Sequence, residues 1–304
     1  MQRKLDHRDF IKSLSQEQRR ALIEKSDVQG AVHLVGHWGL IALLGWLIAI
    51  EVPFWPVLML PQGILLVFLF TLLHETSHRT VFEKVWLNRA VAAVCGFALA
   101  LPPEWFRYFH FDHHRYTQDP EKDPELASPK PQTWRQYVVH ISGLPVWKSH
   151  LRTLFRNALG RCDDSFVPET GKARIRREAR VMIALYILAL SGSVLAGSPL
   201  LLFVWIIPLL LGQPFLRLYL LAEHGKCPYV ANMFENTRTT FTNPLVLKLA
   251  WNMPYHAEHH ALAAVPFYKL QEFHKLTAAH LQVTERGYAR FHRTYMAGFD
   301  QPVQ

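Results

Sequence analysis

The chain has 304 residues, half of them apolar, and 33 Lys and Arg against 24 Asp and Glu give it a net charge of +9. The apolar residues are clumped into long runs, which points to a membrane protein and away from an ordinary soluble domain. No aromatic-plus-basic module accompanies the charge and no CxxC links the three cysteines. Nucleic acid is therefore not an expected partner, and neither a disulfide framework nor an iron–sulfur cluster is expected within the chain.

Residues 1–30 are polar and basic, with Arg3, Lys4, Arg8, Lys12, Arg19, Arg20 and Lys25. They read as a cytosolic amphipathic segment; a cleaved signal peptide is not expected. Ala31 to Ile50 and Pro53 to Leu73 contain no formal charge, and each is long enough to cross a hydrocarbon core of ~30 Å as a helix. The expected spans are about 31–50 and 54–74, then 181–197 and 200–221, the last pair carrying only Arg217. Ala90 to Leu101 is apolar but short, and reads as an interfacial or packed helix. The connectors after spans one and three have no Lys or Arg, whereas the amino terminus, Arg79 to Arg180 and the carboxy-terminal tail are basic. The positive-inside rule then puts both termini and the middle segment in the cytosol. The expected architecture is an all-α integral membrane fold with four transmembrane helices in two hairpins. A cytosolic helical cap (75–180 and 223–280) would complete a domain of residues 31–280, with 281–304 as a tail.

The histidines are clustered too. They form His74-Glu-Thr-Ser-His78, His110-Phe-Asp-His113-His114 and His256-Ala-Glu-His259-His260, with His224 just after the fourth apolar run. Residues three or four apart share one face of a helix, so each box aims its imidazoles at a common point. In the expected topology every box falls on the same side of the membrane. Imidazole suits zinc, copper, iron or nickel, so ligand type alone does not choose the metal. Nine nitrogens exceed the needs of one tetrahedral zinc, and two five- or six-coordinate ions would use them. His33 and His37 have helical spacing but lie inside the first run and belong to no box. His140, His150, His274, His280 and His292 read as surface or packing residues. Trp105, Tyr108, Trp251 and Tyr255 read as interfacial anchors. Asp119 to Glu125, with its two prolines, reads as a rigid turn.

The order HETSH, HFDHH, HAEHH, together with His110 to Pro124 and Ala222 to Pro266, resembles the membrane fatty acid desaturase superfamily of di-iron enzymes. The resemblance runs from about Ala31 to His280. It implies that His74, His78, His110, His113, His114, His224, His256, His259 and His260 hold two irons and that O₂ is a co-substrate. Some members place an Asn four residues before the ninth histidine; here that position is Leu220, and Asn252 is a candidate substitute. Asp112 and Glu258, beside box histidines, are candidate hydrogen-bond partners of the ligands. The implied reaction is desaturation of a lipid acyl chain, without catalytic groups beyond the metal ligands. Its electrons would come from a separate ferredoxin, rubredoxin or cytochrome b5-like donor with its reductase, since no fused haem segment or GxGxxG is present. Hydroxylation of an acyl chain or carotenoid, or oxidative decarboxylation, would use the same site. From a different class, a histidine-rich metal transporter would need ligands at mid-membrane depth, where only His33 and His37 fall. A bacterial inner membrane is the expected location.

Overall fold

The structure, a computed structural model, describes residues 5–299, so Arg3, Lys4 and the last five residues of the tail lie outside it. Two short helices, α1 (His7–Ser13) and α2 (Gln16–Ile23), lead into α3 (Asp27–Ala49), whose first turn is capped by the Ser26 hydroxyl on the Gln29 N–H. A left-handed Phe54 reverses the chain into α4 (Trp55–Val67), which continues past a break at Phe68 as α5 (Leu69–Ser77). Helices α6 (Val85–Ala98) and α7 (Pro103–Tyr116) meet at 101° and do not make one straight span. After α8 (Trp134–Ser142) and α9 (Leu144–Ala158), α10 (Glu169–Leu195) and α11 (Ile207–His224) are again long and apolar. Short helices α12 (Met233–Asn236), α13 (Pro244–Leu249), α14 (His256–Ala261) and α15 (Leu270–Thr277) follow, then α16 (Tyr288–Met296).

Four helical stretches are long and apolar enough to cross a membrane, and they coincide with the four expected runs. The protein is an integral membrane protein, and its surface explains why. In α3 and α10 large apolar side chains face outward, with Val35 70% and Leu188 69% exposed. Such a surface is stable only against lipid. The helices also outrun the hydropathy signal. α10 begins at Glu169, twelve residues before the apolar run, because hydropathy marks the membrane boundary while hydrogen bonding continues the helix beyond it.

The fold is not purely helical. Thr239–Phe241 (β1) pairs in parallel with Thr284–Arg286 (β2). Residues beyond 280 thereby pack on the site-bearing part of the chain, where Phe291 and Tyr295 of α16 are buried.

One close approach aligns the two helical stretches that end at His74 and His224. Gly63 on α4 and Gly212 on α11 cross so tightly that a Cβ on Gly63 would sit 1.9 Å from the Pro208 carbonyl oxygen, and one on Gly212 2.2 Å from that of Gly63. Backbone contact at this point brings the ends of both stretches, His74 and His224, to a common level.

Candidate metal centre

The three boxes sit on α5, α7 and α14, with His224 at the end of α11. The fold brings all nine histidines together. His74, His78, His110, His114 and His259 form one group of ring nitrogens within 4.8 Å of one another, and His113, His224 and His260 form a second. His256 adjoins the second group, its Nε2 lying 3.2 Å from Nε2 of both His224 and His260. Other inward pairs are His78–His110 at 2.7 Å and His113–His224 and His114–His259 at 3.2 Å, all between Nε2 atoms.

These distances test whether a metal fits. An ion of this kind holds imidazole nitrogen at roughly 2.0–2.1 Å, so neighbouring corners of one coordination shell lie about 3 Å apart. The Nε2 spacings match. Among the described residues, neither ring nitrogen of the buried His74 has a hydrogen-bond partner. A buried polar atom left bare costs about 1–3 kcal/mol. Two cations, one per group, would satisfy the converging nitrogens, so the donor set fits a pair of metals.

The outward nitrogens are held where they face protein. His113 Nδ1 donates to Asp123 Oδ1 at 2.9 Å, His260 Nδ1 to the Thr117 hydroxyl at 3.1 Å and His224 Nδ1 to the Asn236 carbonyl at 3.3 Å. Each contact fixes the tautomer that leaves Nε2 free as a donor to metal. Asn236 is itself locked, its amide donating to the Thr117 and Val230 carbonyls. Gln118, left-handed at φ 63°, donates its side-chain N–H to the His224 carbonyl and its backbone N–H to Asp123 Oδ2. Glu75 accepts the Phe267 N–H at 2.9 Å and so ties the first box to the chain after the third.

The expected carboxylate partners are placed differently. Asp112 is half-exposed on α7, and the carboxylate that meets a histidine of its box is Asp123. Glu258 is fully buried, but its partners are the Thr239 hydroxyl and His274 Nδ1. Asn252, left-handed at φ 56°, donates to the Phe267 carbonyl and among the described residues bonds no site histidine. Trp251 is no interfacial anchor: it is wholly buried and donates to His37 Nδ1 at 3.0 Å. His33 and His37 stay outside the cluster, bonding the Lys248 and Leu65 carbonyls.

The segment after the second box does more than turn. Glu125 Oε2 lies 3.4 Å from His113 Nε2, and its other oxygen pairs with Lys130. Burial alone would raise the Glu125 carboxyl, but Lys130, His113 and His224 outweigh it and hold the group well below the usual range, ionised. Burial likewise lowers His113, yet Glu125 and Asp123 together raise it. His78 moves the other way: burial, then Arg107, pushes it down to about 3. His259 and His260 are also held well below 6.5, first by burial. Apart from His113, imidazoles held neutral beside the ionised Glu125 are a donor set ready for metal.

Comparison with known proteins agrees with this chemistry. The sequence profile described as fatty acid desaturase matches residues 52–294. The chain is 26% identical to a dihydrorhizobitoxine desaturase of Bradyrhizobium elkanii, across 93% of this chain and 82% of that protein. It is 29% identical to an sn-1 oleoyl-lipid 12-desaturase of Picosynechococcus over 38% of this chain and 33% of that one. A bifunctional fatty acid conjugase/Delta(12)-oleate desaturase of Punica granatum is 25% identical over 56% of this chain and 48% of its own.

Proposed function

Because the chain belongs to the fatty acid desaturase family, we propose that it is an O₂-dependent enzyme that introduces a double bond into a lipid acyl chain. The observation that carries this reading is the convergence of nine imidazoles into two adjoining groups at the ends of two apolar helices. All nine are assigned as ligands, with His74, His78, His110, His114 and His259 around one iron and His113, His224, His256 and His260 around the other. A pair of irons supplies the oxidation, in which –CH₂–CH₂–, O₂, two electrons and two protons yield –CH=CH– and two waters.

The protein's own part is positioning. In the buried shell the outward nitrogens of His113, His260 and His224 are fixed by Asp123, Thr117 and Asn236, so the inward nitrogens of these three need little reorganisation. Electrons come from a one-electron carrier, a ferredoxin, rubredoxin or cytochrome b5-like protein with its reductase. The basic segments of the chain suit an acidic partner of that kind. By the positive-inside rule the metal site and both termini face the cytosol, in a bacterial inner membrane.

A second reading keeps the reaction and changes the substrate. The Bradyrhizobium relative, aligned over 93% of this chain, is named for dihydrorhizobitoxine. Deuterated fatty acids fed to a host expressing the chain, with His256→Ala as control, separate these readings by mass spectrometry. A lipid lighter by two hydrogens, missing in the variant, supports acyl desaturation. An oxygenated or chain-shortened lipid replaces desaturation with hydroxylation or decarboxylation. An unchanged lipid profile, from protein shown to hold iron and supplied with reduced donor, favours a non-lipid substrate.

A further inference from the structure

Behind the helix that carries the first box lies a cleft of about 360 Å³ between α5, α6, α7 and α10. Five arginines reach it from four separate segments: Arg79, Arg89, Arg107, Arg174 and Arg177. The acids present are fewer. Glu104 pairs with Arg174 at 3.0 Å, and Glu178 accepts the Glu104 backbone N–H at 2.9 Å. Arg107 donates to the Ser77 carbonyl and stacks over Phe111. Among the described residues, Arg79, Arg89 and Arg177 have no carboxylate within ion-pair distance, so the mouth of the cleft keeps a net positive charge.

Beyond the arginines the walls turn apolar. Ala92, Ala93 and Phe97 continue along α6 from Arg89, and Val181, Met182 and Leu185 continue along α10 from Arg177 into its apolar stretch. The cleft thus has guanidiniums where a bilayer has headgroups and hydrocarbon where it has acyl chains. Arg matches phosphate oxygens with paired N–H donors, and basic pockets between membrane helices suit anionic headgroups.

We propose that this cleft binds an anionic phospholipid, its phosphate between the unpaired arginines and one acyl chain along the apolar wall. The lipid is not the substrate. On α5 the cleft is lined by Leu73, Thr76 and Ser77, whereas His74 and His78, turned away by the 100° step of the helix, face the metal groups. Lipid in the cleft would brace α5 against α6 and α10 from the side opposite the histidines. The inference depends on the membrane setting and not on which oxidation the site performs.

The test is native mass spectrometry of the full-length, metal-loaded protein, delipidated in detergent and offered dioleoylphosphatidylglycerol or dioleoylphosphatidylcholine. One phosphatidylglycerol per chain is expected, held in clear preference to phosphatidylcholine. The double variant Arg89→Gln/Arg177→Gln should weaken it roughly thirtyfold, and Arg89→Lys/Arg177→Lys should restore part of the loss. Arg20→Gln/Arg293→Gln, which removes equal charge from exposed sites elsewhere, should leave it within about twofold. Unchanged metal content in each variant shows that the fold survives. Equal retention of both lipids, or equal loss in the cleft and control variants, would overturn the proposal. So would displacement by inorganic phosphate alone, which makes the cleft a free-anion site, or by an acyl substrate, which makes it a substrate entrance.

Discussion

Asp123 Oδ1 stands 2.9 Å from His113 Nδ1, although ten residues and a turn separate them in the chain. The other Asp123 oxygen accepts the Gln118 N–H, so the carboxylate cannot swing away without exposing a buried donor. Asp123→Asn keeps the shape but offers an amide that can present N–H to the ring and favour the wrong tautomer. Removal of a ligand's outer partner typically costs about 10–100-fold in metal affinity. The expected result is selective loss: iron analysis should fall from about two per chain towards one during dialysis against a chelator, with the second group emptied first. Retention of both irons at the parental rate would refute the role given to Asp123.

The two groups are separable by mutation. His78 belongs to the first and His260 to the second. His78→Ala and His260→Ala should each deplete a different iron, so their Mössbauer spectra should lose different quadrupole doublets. Activity should fall by at least about 10²-fold in both, because two-electron oxidation needs the pair. Identical residual spectra would mean that the nitrogens do not divide as the geometry divides them.

Gly63 and Gly212 make a prediction about stability that is independent of metal. An alanine methyl at position 63 has backbone, not a flexible side chain, in its path, so the helices must separate. Gly63→Ala should destabilise by about 1–3 kcal/mol and lower the melting temperature in detergent. Gly192→Ala, where an added Cβ meets nothing within 4 Å, should be neutral or stabilising by roughly 0.5–1 kcal/mol. Equal melting temperatures for the two variants would contradict the close crossing.

What the sequence made legible was periodic or local. Apolar runs marked all four long helices, and three- and four-residue spacings marked the histidines, because both signals come from one stretch of helix. The support of the site was not legible, because it is assembled from distant segments. Asp112 is adjacent to His113 in sequence, but one residue along a helix is a 100° turn, and the carboxylate that reaches His113 comes from position 123. Asn236, Lys130 and His274 carry no spacing signal: Asn236 meets His224 and Thr117, Lys130 meets Glu125 and His274 meets Glu258 only because the fold brings them together. Asn252 looked suitable by its offset from His256, yet a left-handed backbone and a bond to Phe267 turn it elsewhere. The short parallel strand pair was hidden for the same reason, since its partners lie more than forty residues apart.

Stripped of metal, the protein should lose stability in mild acid. Burial, followed by Arg107, lowers His78 to about 3, and burial lowers His259 and His260 well below 6.5. Below pH 6.5 the unfolded chain takes up protons at these residues while the folded chain does not, so acid favours unfolding. One such histidine contributes about 1.4 kcal/mol per pH unit from 6.5 down to its folded value, and nothing above 6.5. His113 has the opposite sign. Burial lowers it, but Glu125 and Asp123 raise it on balance, so its contribution is full below 6.5 and fades as pH rises through its raised value. The lowered histidines outnumber it. The melting temperature of the chelated protein should therefore fall steeply as the pH drops below 6.5. Metal uptake near pH 7 should release at most one proton per chain, from His113, and not one per ligand. Both are read with a pH series of melting curves and a titration in weak buffer. A flat melting temperature down to pH 5, or release of several protons, would show that the buried imidazoles are charged in the metal-free state.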